Sequence, residues 1–381
     1  MDYRSLSRAS SSSSSASLAS ISTSSLNENA NVETPVSEYS VQFDNVAESL
    51  PVAPEDDEYI LVVGGLGFIG SHTTLELLKE GYNVIVIDDL SNSWNSVLER
   101  VKSLAEQYCE AEKKPTPTIK FHETDYRSPE MRNILAKYQK DVPDSDRKVS
   151  KIAGVIHFAA SKSVEESIYK PLHYYKNNVS GMIDFLEILR EFGITNFVFS
   201  SSATVYGSLA NKGVPLREEH CVHKVESYTE KTGEQQTVEP GCYGLTSPYG
   251  RTKWMCEAIL SDVAHSDPAW SITALRYFNP VGCHESGILG EDPRQKPTNL
   301  FPVITSVLTG KKPILEIFGS DWETTDGTAV RDFIHGKSLL QTLFSTLEHP
   351  TNFGSSCRSC PGPHRGRPHC RQRQAPGLPH L

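Results

Sequence analysis

The chain has 381 residues, 38% apolar and 22% charged, which is enough for one large or two ordinary globular domains, and it carries a formal charge of −10. Ten acids and two bases fall within residues 1–58, so the remainder is close to neutral and offers neither the clustered basic face of a nucleic-acid binder nor a basic patch for anionic lipid. No run of about 18 apolar residues occurs, so no helical membrane span is expected, and small-molecule chemistry is the starting expectation.

Thirteen of the first 26 residues are serine, and acids then run to Glu58. Such a segment buries too little apolar area to offset its ordering entropy, so residues 1–56 read as a disordered extension. The start lacks the apolar stretch of a secretory signal. Eight cysteines are dispersed without a compact framework, which suits reduced thiols and a cytoplasmic protein.

From Tyr59 the texture changes. YILVVGG is a β-branched run, SHTTLELLKEG has helical periodicity up to Gly81, and NVIVIDD is a second buried strand. The alternation continues through TIKFHETD, a helical MRNILAKYQK, the strand KIAGVIHFAA, a helix around PLHYYKNNVSGMIDFLEILREFG and the strand NFVFSSSA. Strands that are apolar throughout are covered on both faces, so the fold class is α/β, a Rossmann-like, doubly wound parallel sheet. Residues 57–278 form this domain, with an aperiodic Gly/Pro-rich insertion at 208–246 before the helix SPYGRTKWMCEAILSDVA. Residues 279–335 are loop-rich and read as a smaller, partial substrate-binding region, and 336–381 as a disordered tail.

The first strand-to-helix turn reads Gly64-Gly65-Leu66-Gly67-Phe68-Ile69-Gly70. Glycines at 64, 67 and 70 let the backbone turn tightly and approach a pyrophosphate, while the helix N-terminus presents free N–H groups. Asp88 ends the second strand, 24 residues after Gly64. Its carboxylate can accept from ribose hydroxyls and would repel a 2′-phosphate, which favours NAD over NADP.

Tyr249 and Lys253 lie four apart on a predicted helix and face the same side. A phenol becomes a usable base when positive charge stabilises its phenolate, and a lysine beside an oxidised nicotinamide supplies that charge. Ser200-Ser201-Ser202 ends the intervening strand, where a serine can hydrogen-bond a substrate oxygen. Tyr206 reads as packing.

The glycine turn, the serine strand and the Tyr-x-x-x-Lys pair together resemble the extended short-chain dehydrogenase/reductases. VIHFAASKSVEESIYKPLHYYKNNVSG, FVFSSSATVYG, SPYGRTKWMCE, LRYFNPVGCHESGILGEDP, NLFPVI and DGTAVRDFIH narrow this to a resemblance to the UDP-glucose 4-epimerases over residues 59–335. That resemblance implies NAD-dependent epimerisation at C4 of a UDP-hexose through a transient 4-keto sugar. Tyr249 would remove the 4-hydroxyl proton, Lys253 would hold the ribose and lower the tyrosine pKa, and Ser202 would share the hydrogen bond. Phe158, Ala159, Lys162 and Asn178 would meet the cofactor; Asn279, Asn299, Leu300, Phe318 and Arg331 would meet the nucleotide sugar. Homodimerisation is a further implication.

Some positions depart from the pattern. Val63 stands where the family has threonine, and Ala160-Ser161 follows HFA. The interval from Ser202 to Tyr249 is 47 residues, long for compact bacterial members and similar to fungal ones. After His335 the resemblance fades, which leaves a truncated or misspliced reading frame, an inactive NAD-binding remnant or a related dehydratase or decarboxylase as alternatives. Cys357, Cys360, His364, His369 and Cys370 have irregular spacing for zinc, and no metal is expected.

Overall fold

The computed structural model describes residues 58–348, apart from 213–215, 230–231, 243 and 318–320. The expected disordered extension at 1–56, the cysteine and histidine cluster after 349, and Phe318 lie outside the described residues. In chain order, β1 (Tyr59–Val63), α1 (Phe68–Lys79), β2 (Asn83–Asp88), α2 (Ser96–Glu112), β3 (Ile119–Glu123) and α3 (Glu130–Ala136) lead to a hairpin of β4 (Gln139–Asp141) and β5 (Lys148–Ser150). There follow β6 (Ile152–His157), α4 (Val164–Tyr169), α5 (Pro171–Tyr174), a π-helical turn (Tyr175–Ser180), α6 (Gly181–Glu191) and β7 (Asn196–Ser200).

The insertion holds two 3₁₀ segments, Ala203–Lys212 and Glu218–His220, and a hairpin of β8 (Glu226–Thr229) and β9 (Gln235–Val238). After it come α7 (Pro248–Ser266), β10 (Ser271–Leu275), β11 (Asn279–Val281), α8 (Leu300–Leu308), β12 (Phe333–His335) and α9 (Gly336–Glu348).

Six strands form one all-parallel sheet in the order β10-β7-β6-β1-β2-β3. Chain direction across the sheet reverses between β1 and β6, and the crevice beyond their carboxyl ends is where a doubly wound sheet binds ligand. Val63 pairs with Ile87 on one side and His157 on the other, so the glycine turn, Asp88 and the Phe158-Ala159 loop emerge side by side.

Alternation along each strand feeds two cores. Leu61, Val63, Ile85, Ile87, Val155, Phe197 and Phe199 pack with α3, α6 and α7 through Met131, Ile134, Phe185, Leu189 and Leu260. Ile60, Val62, Val84, Val86, Ile156 and Val198 face α1 and α2 through Leu75, Leu78, Val97 and Val101. Each such buried aliphatic side chain contributes roughly 1.5–3 kcal/mol, so the sheet is a rigid platform for the loops at its carboxyl edge.

Three stretches differ from expectation. The segment after β2, to which the sequence reading assigns nothing, forms α2. The single helix expected over 171–193 is divided by the π turn. Residues 336–348, read as the start of a disordered tail, form α9 instead, because Leu339, Leu340 and Leu343 bury themselves, with Leu343 in the α1/α2 core. Asn279–Val281 pairs in parallel with Phe333–His335, which brings both ends of the 279–335 region to one edge of the cleft.

Candidate active site

The Gly64–Gly70 turn is built for close backbone approach. Gly64 has φ +78°, and a Cβ there would lie 2.8 Å from the Ala159 backbone nitrogen. A Cβ on Gly70 would lie 2.1 Å from the Gly64 carbonyl. No side chain caps α1 and no acid occupies its first turn, so its leading N–H groups and dipole face the cleft without competition. Gly64, Gly67, Phe68, Ile69 and Gly70 all line that cleft.

Asp88, only 8% exposed, accepts from the Leu66 amide at 2.9 Å, the Leu90 amide at 3.0 Å and the Ser93 hydroxyl at 2.7 Å. The carboxylate therefore clamps the glycine turn as well as lining the cleft, and Oδ2, with one bond, retains accepting capacity. These features fit the diphosphate and ribose of a dinucleotide.

Along the opposite wall, Ser247 caps α7 by accepting from the Gly250 amide at 3.1 Å, with Pro248 at the first helical position. This start aims Tyr249 and Lys253 at the end of β7. The Tyr249 phenol and the Ser202 hydroxyl line the same stretch of the cleft and interact electrostatically. Lys253 Nζ donates to the Ser200 carbonyl at 2.6 Å and sits 4.7 Å from the Phe199 ring centroid. All three predicted catalytic residues are thus brought together, in the same cleft as the glycine turn.

Burial pushes the Tyr249 phenol above its ordinary pKa, Tyr277 and Tyr174 add to the rise, and the Ser202 hydroxyl opposes it. Burial likewise pushes the Lys253 ammonium down, to about 8, against the pull of Cys256 and Glu257. Positive charge brought beside the phenol would oppose that rise.

The other expected residues are distributed as follows. Phe158, Ala159 and Lys162 line the cleft. Asn178 does not: its Oδ1 accepts from the Ser161 amide at 2.9 Å, and its Nδ2 donates to the Ser161 carbonyl and the Thr252 hydroxyl, each at 3.0 Å. It clips the loop after β6 to α7 and is 3% exposed. Asn279, Asn299 and Arg331 line the cleft, with Arg331 5.8 Å from the Trp322 ring centroid. Leu300, the first residue of α8, is 44% exposed and is not among the lining residues.

Residues 60–356 match the model of the NAD dependent epimerase/dehydratase family. The chain belongs to that family. It is 45% identical over 293 residues to a UDP-glucose 4-epimerase of Haemophilus influenzae, covering 77% of this chain and 74% of that one. It is 41% identical over 299 residues to UDP-glucose 4-epimerase 2 of Arabidopsis thaliana, covering 78% and 73%. Among solved structures it is similar to the UDP-glucose 4-epimerase from Bifidobacterium longum in complex with NAD+ and UDP, at 38% identity and a TM-score of 0.62, covering 77% and 75%.

In this epimerase-family chain a buried ionic cluster beside the site escapes sequence reasoning. Glu257, one turn beyond Lys253, accepts from the Ser201 hydroxyl, from His223 Nε2 at 2.8 Å and from Arg276 Nη2 at 2.6 Å. Burial alone would raise its carboxyl, but Arg276 and His223 hold it at about 2. The one available signal is spacing, since Glu257 continues the four-residue step from Tyr249 through Lys253. Glu291 was likewise unmarked; it lies 3.5 Å from Lys162 Nζ and accepts from Asn299 Nδ2 at 2.5 Å, joining a cofactor-side to a substrate-side candidate.

Proposed function

We propose that this protein catalyses NAD-dependent epimerisation at C4 of a UDP-hexose, interconverting UDP-glucose and UDP-galactose. The observation that carries the reading is that Ser202, Tyr249 and, one helical turn on, Lys253 line one cleft with the Gly64–Gly70 turn. The α1 N-terminus and Asp88 would hold NAD, which when bound would supply the hydride acceptor and donor for C4. Tyr249 takes the proton of the sugar 4-hydroxyl at its phenolic oxygen, and Ser202 holds that hydroxyl in line. Lys253 stabilises the phenolate. The transient product is a 4-keto sugar, which must turn over within the cleft to be reduced on its other face.

Asn279 and Asn299 meet the nucleotide diphosphate and Arg331 borders its uridine end, where an arginine near a pyrophosphate makes charge-assisted bonds. We read the long interval from Ser202 to Tyr249 as similar to fungal-type members of the family. A homodimer is supported by apolar residues exposed on two helices, Ile183 of α6 and Met255 of α7. Dispersed cysteines support a cytoplasmic location, and among the described residues no helix is long and apolar enough to cross a membrane.

The test is incubation of the purified chain with UDP-galactose. UDP-glucose formed without net reduction of NAD supports the reading; a released 4-keto product points to a dehydratase, and cofactor uptake without turnover to a binding protein. Tyr249→Phe is expected to abolish conversion while leaving NAD bound.

A further inference from the structure

Three consecutive serines at the end of β7 are each tied to the same face of α7. The Ser202 hydroxyl meets Tyr249, the Ser200 carbonyl accepts from Lys253, and the Ser201 hydroxyl donates to Glu257. Residues 249, 253 and 257 are four apart, so this face of α7 reads the strand end like a three-tooth key. The third tooth is anchored more firmly than the other two. Glu257 is fully buried, and Arg276, just past β10, engages it through Nε and Nη2. Arg276 also donates to the Cys221 carbonyl at 2.8 Å and stacks on the Tyr206 ring at 5.2 Å, so one carboxylate links β7, β10 and the 206–223 wall of the cleft.

We propose that Glu257 is a positioning residue for the reaction, holding Ser201, and with it the Ser200 carbonyl and the Ser202 hydroxyl, in register with Lys253 and Tyr249. The proposal rests on the epimerase reading for what is positioned. Glu257 is also the anion nearest the Lys253 charge along α7, alongside the Cys256 thiol. From the other elements Lys253 faces the neutral His157 of β6 and, on β7, the Phe199 ring and the Ser200 carbonyl.

The experiment uses the full chain loaded with NAD. Competitive amine labelling across pH, read by peptide mass analysis, follows the Lys253 midpoint, and kcat and KM for UDP-galactose are measured in parallel. In Glu257→Gln the carboxylate charge is lost while Arg276 stays cationic, so the Lys253 midpoint should fall by about one pH unit and the alkaline limb of kcat with it. Adding Arg276→Gln should return the midpoint toward wild type. An unchanged midpoint, with activity scaling only with the folded fraction, overturns the proposal.

Should Glu257→Gln fail to fold, Ser201→Ala decides, because it removes the hydroxyl contact and leaves the ions in place. The expected result is a kcat lower by about tenfold with KM unaltered; an unaltered kcat overturns the proposal. Failure of the wild-type protein to convert UDP-galactose defeats the functional reading instead, and the Lys253 titration, which needs no turnover, still reads the Glu257 coupling.

Discussion

Tyr249 and Lys253 stand one helical turn apart on α7 yet grip different residues of the same strand end: the phenol meets the Ser202 hydroxyl, and the ammonium donates to the Ser200 carbonyl at 2.6 Å. Both are desolvated, with opposite consequences. The phenol is pushed up, and the ammonium is pushed down to about 8. Proton abstraction needs the lysine charged, so kcat should fall as pH rises through about 8. Lys253→Met should lose roughly a hundredfold to ten-thousandfold in kcat. It should also lose the limb near pH 8, and a mutant profile that keeps this limb would assign it to another group.

The glycine turn permits a sharper steric test. Gly70→Ala places a methyl 2.1 Å from the Gly64 carbonyl, which is backbone and cannot swing aside. The turn must open, and the α1 N-terminus with it. The chain should fold, since the two cores below the turn are untouched, but it should retain little NAD. Cofactor released on denaturation and quantified by absorbance checks this; full NAD occupancy in Gly70→Ala would show that the turn does not cradle the diphosphate.

Much of this was legible in the sequence because it rests on local periodicity. Val62, Val63, Val86 and Ile87 announce buried parallel strands, and Gly64, Gly67 and Gly70 announce a turn that only glycine tolerates. The Tyr249/Lys253 pair is visible because a helix converts a spacing of four into one face. What stayed hidden depends on contacts between distant segments. Glu257 and Arg276 are 19 residues apart and nothing in the sequence pairs them, yet the fold buries the carboxylate completely against the guanidinium. Asn178 likewise reaches Ser161 and Thr252 through its amide, links between segments that its sequence setting does not announce. Leu339, Leu340 and Leu343 were masked by the polar texture that follows them, although their spacing alone suits one helix face.

Asp88 should govern cofactor choice. Its carboxylate accepts from two backbone amides and the Ser93 hydroxyl, an arrangement that fixes an anion where a ribose 2′-phosphate would need a cation. Asp88→Asn removes the charge and turns one acceptor into a donor facing other donors. NAD affinity should fall by about tenfold or more, since hydrogen bonds to a charged group contribute roughly 1.5–3 kcal/mol. NADP affinity should fall less or improve. Titration of both cofactors against the two proteins measures the ratio, and an unchanged NAD/NADP preference would remove Asp88 from cofactor discrimination.

His157 gives a stability prediction with a definite sign. It is 1% exposed at the end of β6, boxed by Tyr126, Phe185, Phe197 and Phe199, and neither ring nitrogen has a hydrogen-bond partner among the described residues. Burial, with a contribution from Lys253, pushes its pKa from 6.5 to about 3. Between those values the unfolded chain takes up a proton that the folded chain refuses, so this one group lowers stability by about 1.4 kcal/mol for each pH unit descended. Its contribution is flat above 6.5 and flat again below about 3. His157→Phe keeps a planar ring in the aromatic box and removes the proton site. Urea unfolding at pH 7 and pH 5 should show wild type losing about 2 kcal/mol more than the mutant between the two conditions, as the slope over the titrating range requires. Equal losses in the two proteins would mean that the folded state admits the proton, through water reaching the ring or through movement of Lys253, and that the aromatic box is more open than its packing indicates.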